Sequence, residues 1–139
     1  MFDVKEKSIL ELQEAMEAGE TTSAELVISY MNRISELNLS GPALNAILEL
    51  NVEAVTIAMA MDRERKLKGK RSNLHGIPVL IKGNIGTNDQ MHTSAGSRAL
   101  KDHYAPEDAN LVKQLREAGG GDHGKGQSDR DGKVFCCGY

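Results

Sequence analysis

An apolar run that ends in a lysine and then breaks into glycine-punctuated loop constrains this chain more than any other stretch. Val79, Leu80 and Ile81 are bounded by Gly76 and Pro78 on one side and by Gly83 and Asn84 on the other. That is the pattern of a short buried strand with turn signals at both ends. Lys82 then stands at the strand's carboxyl end, where α/β proteins gather their chemistry. Burial there favours the neutral amine, the form that accepts a proton. A solvated strand-end lysine is the plain alternative.

Upstream, the periodicity predicts helices. Ser8 with Glu11 spells a capping box ahead of Ile9, Leu12, Ala15 and Met16, with Gly19 as a left-handed stop. Thr22 with Glu25 repeats the device before the stripe Leu26, Val27, Tyr30, Met31, Ile34 and Leu37. Ser40, Gly41 and Pro42 break that helix, and Ala43 to Leu50 reads as a strand. A third helix is predicted from about Val52 to Leu67, its charges Arg63, Glu64, Arg65, Lys66 and Lys68 forming a solvated end. A fourth is predicted between Ala105 and Ala118, with Pro106 in its first turn and Ala109, Leu111, Val112, Leu115 and Ala118 on its apolar side. The order helix, helix, strand, helix, strand, helix is that of an α/β sandwich with its sheet just begun.

Charge and composition narrow the partners. A formal net charge of −3 leaves no basic footprint for nucleic acid, and 40% hydrophobic with 27% charged residues describes a globular chain. The segment MFDVKEKSIL is charged and lacks an apolar centre, so no signal peptide, membrane span or membrane partner is expected, and a cytoplasmic location is the default. His75, His92, His103 and His123 form no close ligand pair, and the adjacent Cys136 and Cys137 supply no metal-site spacing. His92 reads as a solvated loop residue, lining a substrate channel only if its loop covers Lys82. Gly119 to Lys125 spells G-x-x-x-x-G-K, but Gly126 stands where a phosphate-binding loop needs Ser or Thr, and the run follows a helix.

The run GIPVLIKGNI followed by TSAGSRAL resembles the amidase signature family, whose members usually carry a GIPVxxKDNxxT block and then a TxAGS block. The similarity extends through TTSAELVISYMNRISELN, LNAILELN and APEDANLVKQLREAG, up to about Gly119. The resemblance implies an α/β fold: N-terminal helices plus the first strands of the amidase-type mixed sheet with surrounding helices, incomplete here. It also implies a hydrolase of carbon–nitrogen amide bonds acting on a small-molecule amide without metal or cofactor, through a Ser, cis-Ser, Lys triad in which Lys82 is the base. Gly83 and Gly86 depart from the pattern, each standing where the family often has Asp.

The family's serine-rich GSSGG block lies further downstream, and none follows Lys82 here, so a catalytically incomplete chain is expected. Ser94 and Ser97 read as loop hydroxyls without a base or oxyanion hole. After the fourth helix the family runs into an apolar strand resembling GAVIxGKxNxxE, whereas this chain reads GGGDHGKGQSDRDGKVFCCGY. Synonymous codons for Gly121 to Arg130 can be chosen so that reading one nucleotide later gives V-I-M-G-K-A-N-L-T. A frameshift near Gly120 is therefore expected, dividing the chain into an amidase-signature segment over 1–119 and an aberrant, disordered tail over 120–139. Other readings stay open: a glutamyl-tRNA amidotransferase A-type subunit, a non-catalytic module that self-associates through an exposed sheet edge, or a small hydrolase pairing Ser94 or Ser97 with Lys82.

Overall fold

Both capping boxes form. The computed structural model describes residues 2–126 and 134–136, with side chains over 2–120. Helix α1 (Ile9–Glu17) starts where the Ser8 hydroxyl accepts from Glu11 N (3.3 Å) and the Glu11 carboxylate accepts from Ser8 N (2.8 Å). Helix α2 (Ser23–Ile34) starts the same way on Thr22 and Glu25. Leu12 and Met16 of α1 pack with Leu26 of α2, Val4 and Ile77, while Ile9, predicted on the same face, is 43% exposed. Gly19 closes α1 at φ 74°. Beyond α2 the chain widens into a π-helical turn, Ser35–Leu39, which carries the predicted stripe on to Leu37.

The predicted strand from Ala43 shortens to β1 (Ile47–Leu50). Ala43 and Asn45 adopt left-handed φ of 48° and 47°, which no strand tolerates, and the buried Asn38 side chain takes the N–H groups of Ala46 and Ile47. Helix α3 (Ala54–Lys68) then lies on α2 through Val27, Ala54, Ile57 and Ala58. Its Asp62 accepts from the backbone N–H groups of Ser23 (2.7 Å) and Ala24 (3.1 Å), placing a carboxylate at the positive end of α2.

The solvated helix end expected at 63–68 is corrected at Arg65. Its guanidinium turns inward to Gln13 Oε1 and His75 O, both at 2.8 Å, and burial lowers its pKa from the usual guanidinium range. His75 O also accepts from Gln13 Nε2 at 2.9 Å. The His75 ring is fully buried between Met61 O (3.0 Å from Nε2) and Arg71 N (3.3 Å from Nδ1), so the neutral Nε2–H tautomer satisfies both contacts. Gly76 follows at φ 73° and donates to Gly119 O at 2.8 Å. This dipeptide aims β2 (Pro78–Lys82) into the sheet.

Helix α4 runs from Asn110 to Glu117, later than predicted, because Ala109 N donates to Gly86 O (2.9 Å) and Asp108 accepts from Asn88 N (2.7 Å). Those tertiary bonds hold residues 105–109 outside the helix. Val112 packs on Ile81, flanked by Val79, Ile85, Ala109 and Leu115; burying each of the two central side chains contributes about 1.5–3 kcal/mol. Leu111, predicted on this side, is 49% exposed. The helix closes on Gly119 at φ 79°, with Gly120 N donating to Leu115 O at 2.8 Å.

Two stretches of the expected tail lie in the sheet. Strand β3 (Gly121–Gly126) pairs parallel with β2 and antiparallel with β1, and β4 (Val134–Cys136) pairs antiparallel with β2, giving the order β1-β3-β2-β4. A slot between two strands is filled by backbone N–H and C=O groups, which Gly-Asp-His-Gly-Lys-Gly supplies although none of its residues is apolar. The G-x-x-x-x-G-K run thus lies largely in a strand. The rest of the expected tail, including Cys137, falls outside the described residues. Among the described residues no helix is long and apolar enough to cross a membrane.

Packing and charge each give a measurable consequence. A Cβ at Gly76 would sit 1.9 Å from Ser23 Oγ, whereas one at Gly69 (φ 81°) meets nothing within 4 Å. Gly76→Ala should therefore cost about 1–3 kcal/mol more than Gly69→Ala in urea unfolding. The Ser8 backbone N–H, then its hydroxyl and Lys7, hold the Glu11 carboxyl down at about 2. The stabilisation this gives α1 is present above the ordinary value of 4.5 and is lost as pH falls towards about 2. An NMR titration of Ser8→Ala should find Glu11 moved only part of the way up towards 4.5, because the hydroxyl is lost and the backbone N–H remains.

Candidate active site

Lys82 ends β2 half-buried, and its carbonyl accepts from Ile85 N at 2.9 Å to start a turn. Among the described residues no side chain gives its Nζ a hydrogen bond or ion pair. The next residue, Gly83, is buried, and its carbonyl accepts from Ala95 N at 3.1 Å. That bond brings the TSAGS loop, 93–97, against the strand end. The loop folds on consecutive left-handed residues, Ala95 (φ 51°) and Gly96 (φ 72°), and closes through Thr93 N to His103 O (2.7 Å) and Ser97 N to Ser94 O (2.8 Å).

The two loop serines diverge. Ser97 Oγ accepts from Ala99 N (3.3 Å) and caps a short 3-10 turn, Arg98–Leu100. Ser94 is half-buried and lines an open cleft of about 290 Å³ with Leu48, Glu49, Gly83, His92 and Lys101. Gly86, where the resemblance leads one to expect Asp, sits with its would-be Cβ 3.1 Å from Ala105 Cβ, so a carboxylate there requires the neighbouring segment to shift.

His92 is not the solvated loop residue expected. Glu49 Oε1 lies 2.8 Å from its Nδ1, Glu49 Oε2 accepts from its backbone N at 2.9 Å, and the ring packs on Tyr104 with centroids 4.4 Å apart. Glu49 went unassigned in the sequence because its partner is 43 residues away. His103 is exposed and contributes its carbonyl, and His123 lies in β3. Among the described residues no three His, Cys, Asp or Glu side chains come together to hold a metal.

A second group of charges also goes unassigned in the sequence. Arg116, a late-helix cation in the sequence, contacts Asp108 Oδ2 (2.9 Å) and Asp89 Oδ2 (3.2 Å), with side-chain exposures of 12% for Arg116 and 7% for Asp89. Asp89 Oδ1 also accepts from Thr87 Oγ1 and Met91 N, both at 2.9 Å. The triad fastens the loop after β2 to α4.

A strand-end lysine whose next carbonyl is bonded by a TSAGS loop, on a mixed sheet wrapped by helices, defines the N-terminal part of an amidase-type α/β fold. The chain belongs to the Amidase family, whose model matches residues 25–133. A Schizosaccharomyces pombe protein named as a putative amidase is 45% identical over 116 residues, 84% of this chain and 19% of that protein. The native peptide amidase from Stenotrophomonas maltophilia superposes with a TM-score of 0.84 at 44% identity, over 91% of this chain and 26% of that one. The A-type subunit of the Halorhodospira halophila glutamyl-tRNA(Gln) amidotransferase is 34% identical over 124 residues, 89% of this chain and 25% of that protein. The chain thus spans about a fifth to a quarter of the length of the relatives it matches.

Asp89→Ala removes one of the two carboxylates on Arg116 and leaves Asp108 in place. It should cost roughly 1.5–3 kcal/mol in denaturant unfolding, as losing a hydrogen bond to a charged group does. Lys7→Ala, which breaks an exposed pair with Glu11, should leave the unfolding midpoint nearly unchanged.

Proposed function

We propose that these residues form the amino-terminal part of an amide carbon–nitrogen hydrolase in which Lys82 is the proton-accepting member of a Ser, cis-Ser, Lys triad. The observation that carries the reading is the bond from Ala95 N to Gly83 O, which sets the two signature blocks side by side at the strand end. In the intact enzyme Lys82 would take the nucleophilic serine's proton by way of the cis-serine. The serine would attack the amide carbonyl to form an acyl-enzyme, with backbone amides holding the oxyanion. Hydrolysis is favoured over transamidation because identity to the S. pombe protein, 45%, exceeds the 34% to the H. halophila amidotransferase.

The 139 residues by themselves supply the base and no serine-rich block, so on this reading they do not hydrolyse amides. A change of reading frame at Gly120 accounts for the sequence beyond it. Gly119 and Gly120 fit closely, their would-be Cβ atoms lying 2.9 Å from His75 Nδ1 and 3.0 Å from Leu115 O. The next six residues occupy the slot between β1 and β2, where an interior strand ordinarily reads as an apolar run, yet none is apolar. The shifted frame offers Val-Ile-Met-Gly-Lys-Ala there, leaving Gly124 and Lys125 unchanged.

The nucleotide sequence tests the frame directly: codons incompatible with the shifted reading overturn it. At the protein level, Gly121→Val with Asp122→Ile and His123→Met should stabilise the chain by about 2–5 kcal/mol in urea unfolding, from the apolar surface gained. The purified chain should leave simple amides and esters intact. Turnover abolished by Lys82→Ala would overturn its incompleteness. In a frame-restored, longer protein that does hydrolyse amides, Lys82→Ala should lower kcat by at least about 10²-fold, the span of a general base.

A further inference from the structure

Resting on that reading of Lys82, we infer that Glu49 is a positioning residue, a strut from β1 that holds the TSAGS loop against the strand end through His92. Both carboxylate oxygens engage one residue: Oε2 accepts the His92 backbone N–H at 2.9 Å, and Oε1 lies 2.8 Å from ring Nδ1. Main chain and ring of His92 are therefore fixed together. Its ring then leans on Tyr104, while the neighbouring pair, Thr93 N and His103 O, closes the loop at 2.7 Å. Two adjacent rungs thus clamp the start of the loop, and just beyond them Ala95 N reaches Gly83 O.

The topology gives this strut its purpose. β1 and β2 are not neighbours, since β3 lies between them. The contact from Glu49 on β1 to the loop that bonds the end of β2 crosses that slot by side chain. It sets one wall of the cleft against the other whatever residues fill β3. The cleft's lining includes both ends of the strut, Glu49 and His92, together with Gly83 and Ser94. Charge-assisted hydrogen bonds of this kind are the strong ones, so one carboxylate suffices to order the loop.

Amide hydrogen exchange on the 139-residue chain tests the assignment without any need for turnover. In Glu49→Ala the exchange of the Ala95 and His92 amides should accelerate about tenfold or more relative to Ala58 in α3, as expected for losing hydrogen bonds to a charged group. Glu49→Gln, which keeps an acceptor oxygen, should restore most of the protection. His92→Ala keeps the backbone bond and loses the ring, and should fall between the two. In ¹⁵N spectra the His92 Nδ1 signal should shift in Glu49→Ala, a signature that general loosening of the fold does not produce.

No acceleration of Ala95, or acceleration only in step with Ala58, would overturn the strut. Either result leaves the role of Lys82 standing, because that role is read by activity of the longer protein. Conversely, a silent Lys82→Ala in that protein would sink the catalytic reading and leave the exchange result intact.

Discussion

The carbonyl of His75 is the point on which the rest of this structure turns. It accepts from Gln13 of α1 and Arg65 of α3, while the ring of the same residue is held by Met61 O and Arg71 N. One residue later, Gly76 packs against Ser23 at the start of α2 and bonds Gly119 just past α4. The helices α1 to α4 are therefore all referenced to one dipeptide immediately ahead of β2. A buried carbonyl must be paired, and pairing it twice with side chains from different helices leaves β2 one direction in which to run. Lys82 is where that direction ends.

The loop beside the strand end is held in place by polar groups drawn from far along the chain. The Asp89–Arg116–Asp108 triad fastens the segment after β2 to α4, and Glu49 fastens the TSAGS loop to β1. Ala95 and Gly96 adopt left-handed backbone between these anchors. Strain of that kind persists only where surrounding bonds over-determine it. The Thr93–His103, Glu49–His92 and Ala95–Gly83 contacts supply that over-determination.

Much of this was legible in the residues. Ser8–Glu11 and Thr22–Glu25 each spell a reciprocal cap that forms as written, because every partner lies within one turn. The stripe from Leu26 to Leu37 and the run before Lys82 likewise report local periodicity. The limits of the reading are equally physical. Ala43 looks like the start of a strand until Asn38 takes the backbone N–H groups that would have begun it. Pro106 looks like a helix start until Gly86 O claims Ala109 N. Arg65 and His92 look solvated because Gln13, His75 and Glu49, their partners, are given by no spacing rule.

By itself, then, the sequence determined the helix starts, the strand that delivers Lys82 and the family to which the chain belongs, since each rests on contacts within a few residues or on ordered blocks. Tertiary structure alone decided that Arg65 turns inward, that Glu49 meets His92 and that a stretch with no apolar residue takes a slot in the sheet. The reason is common to all three. A charge or a backbone amide pairs with whatever the fold carries to it, and in this chain Arg65 finds Gln13 at 52 residues and Glu49 finds His92 at 43.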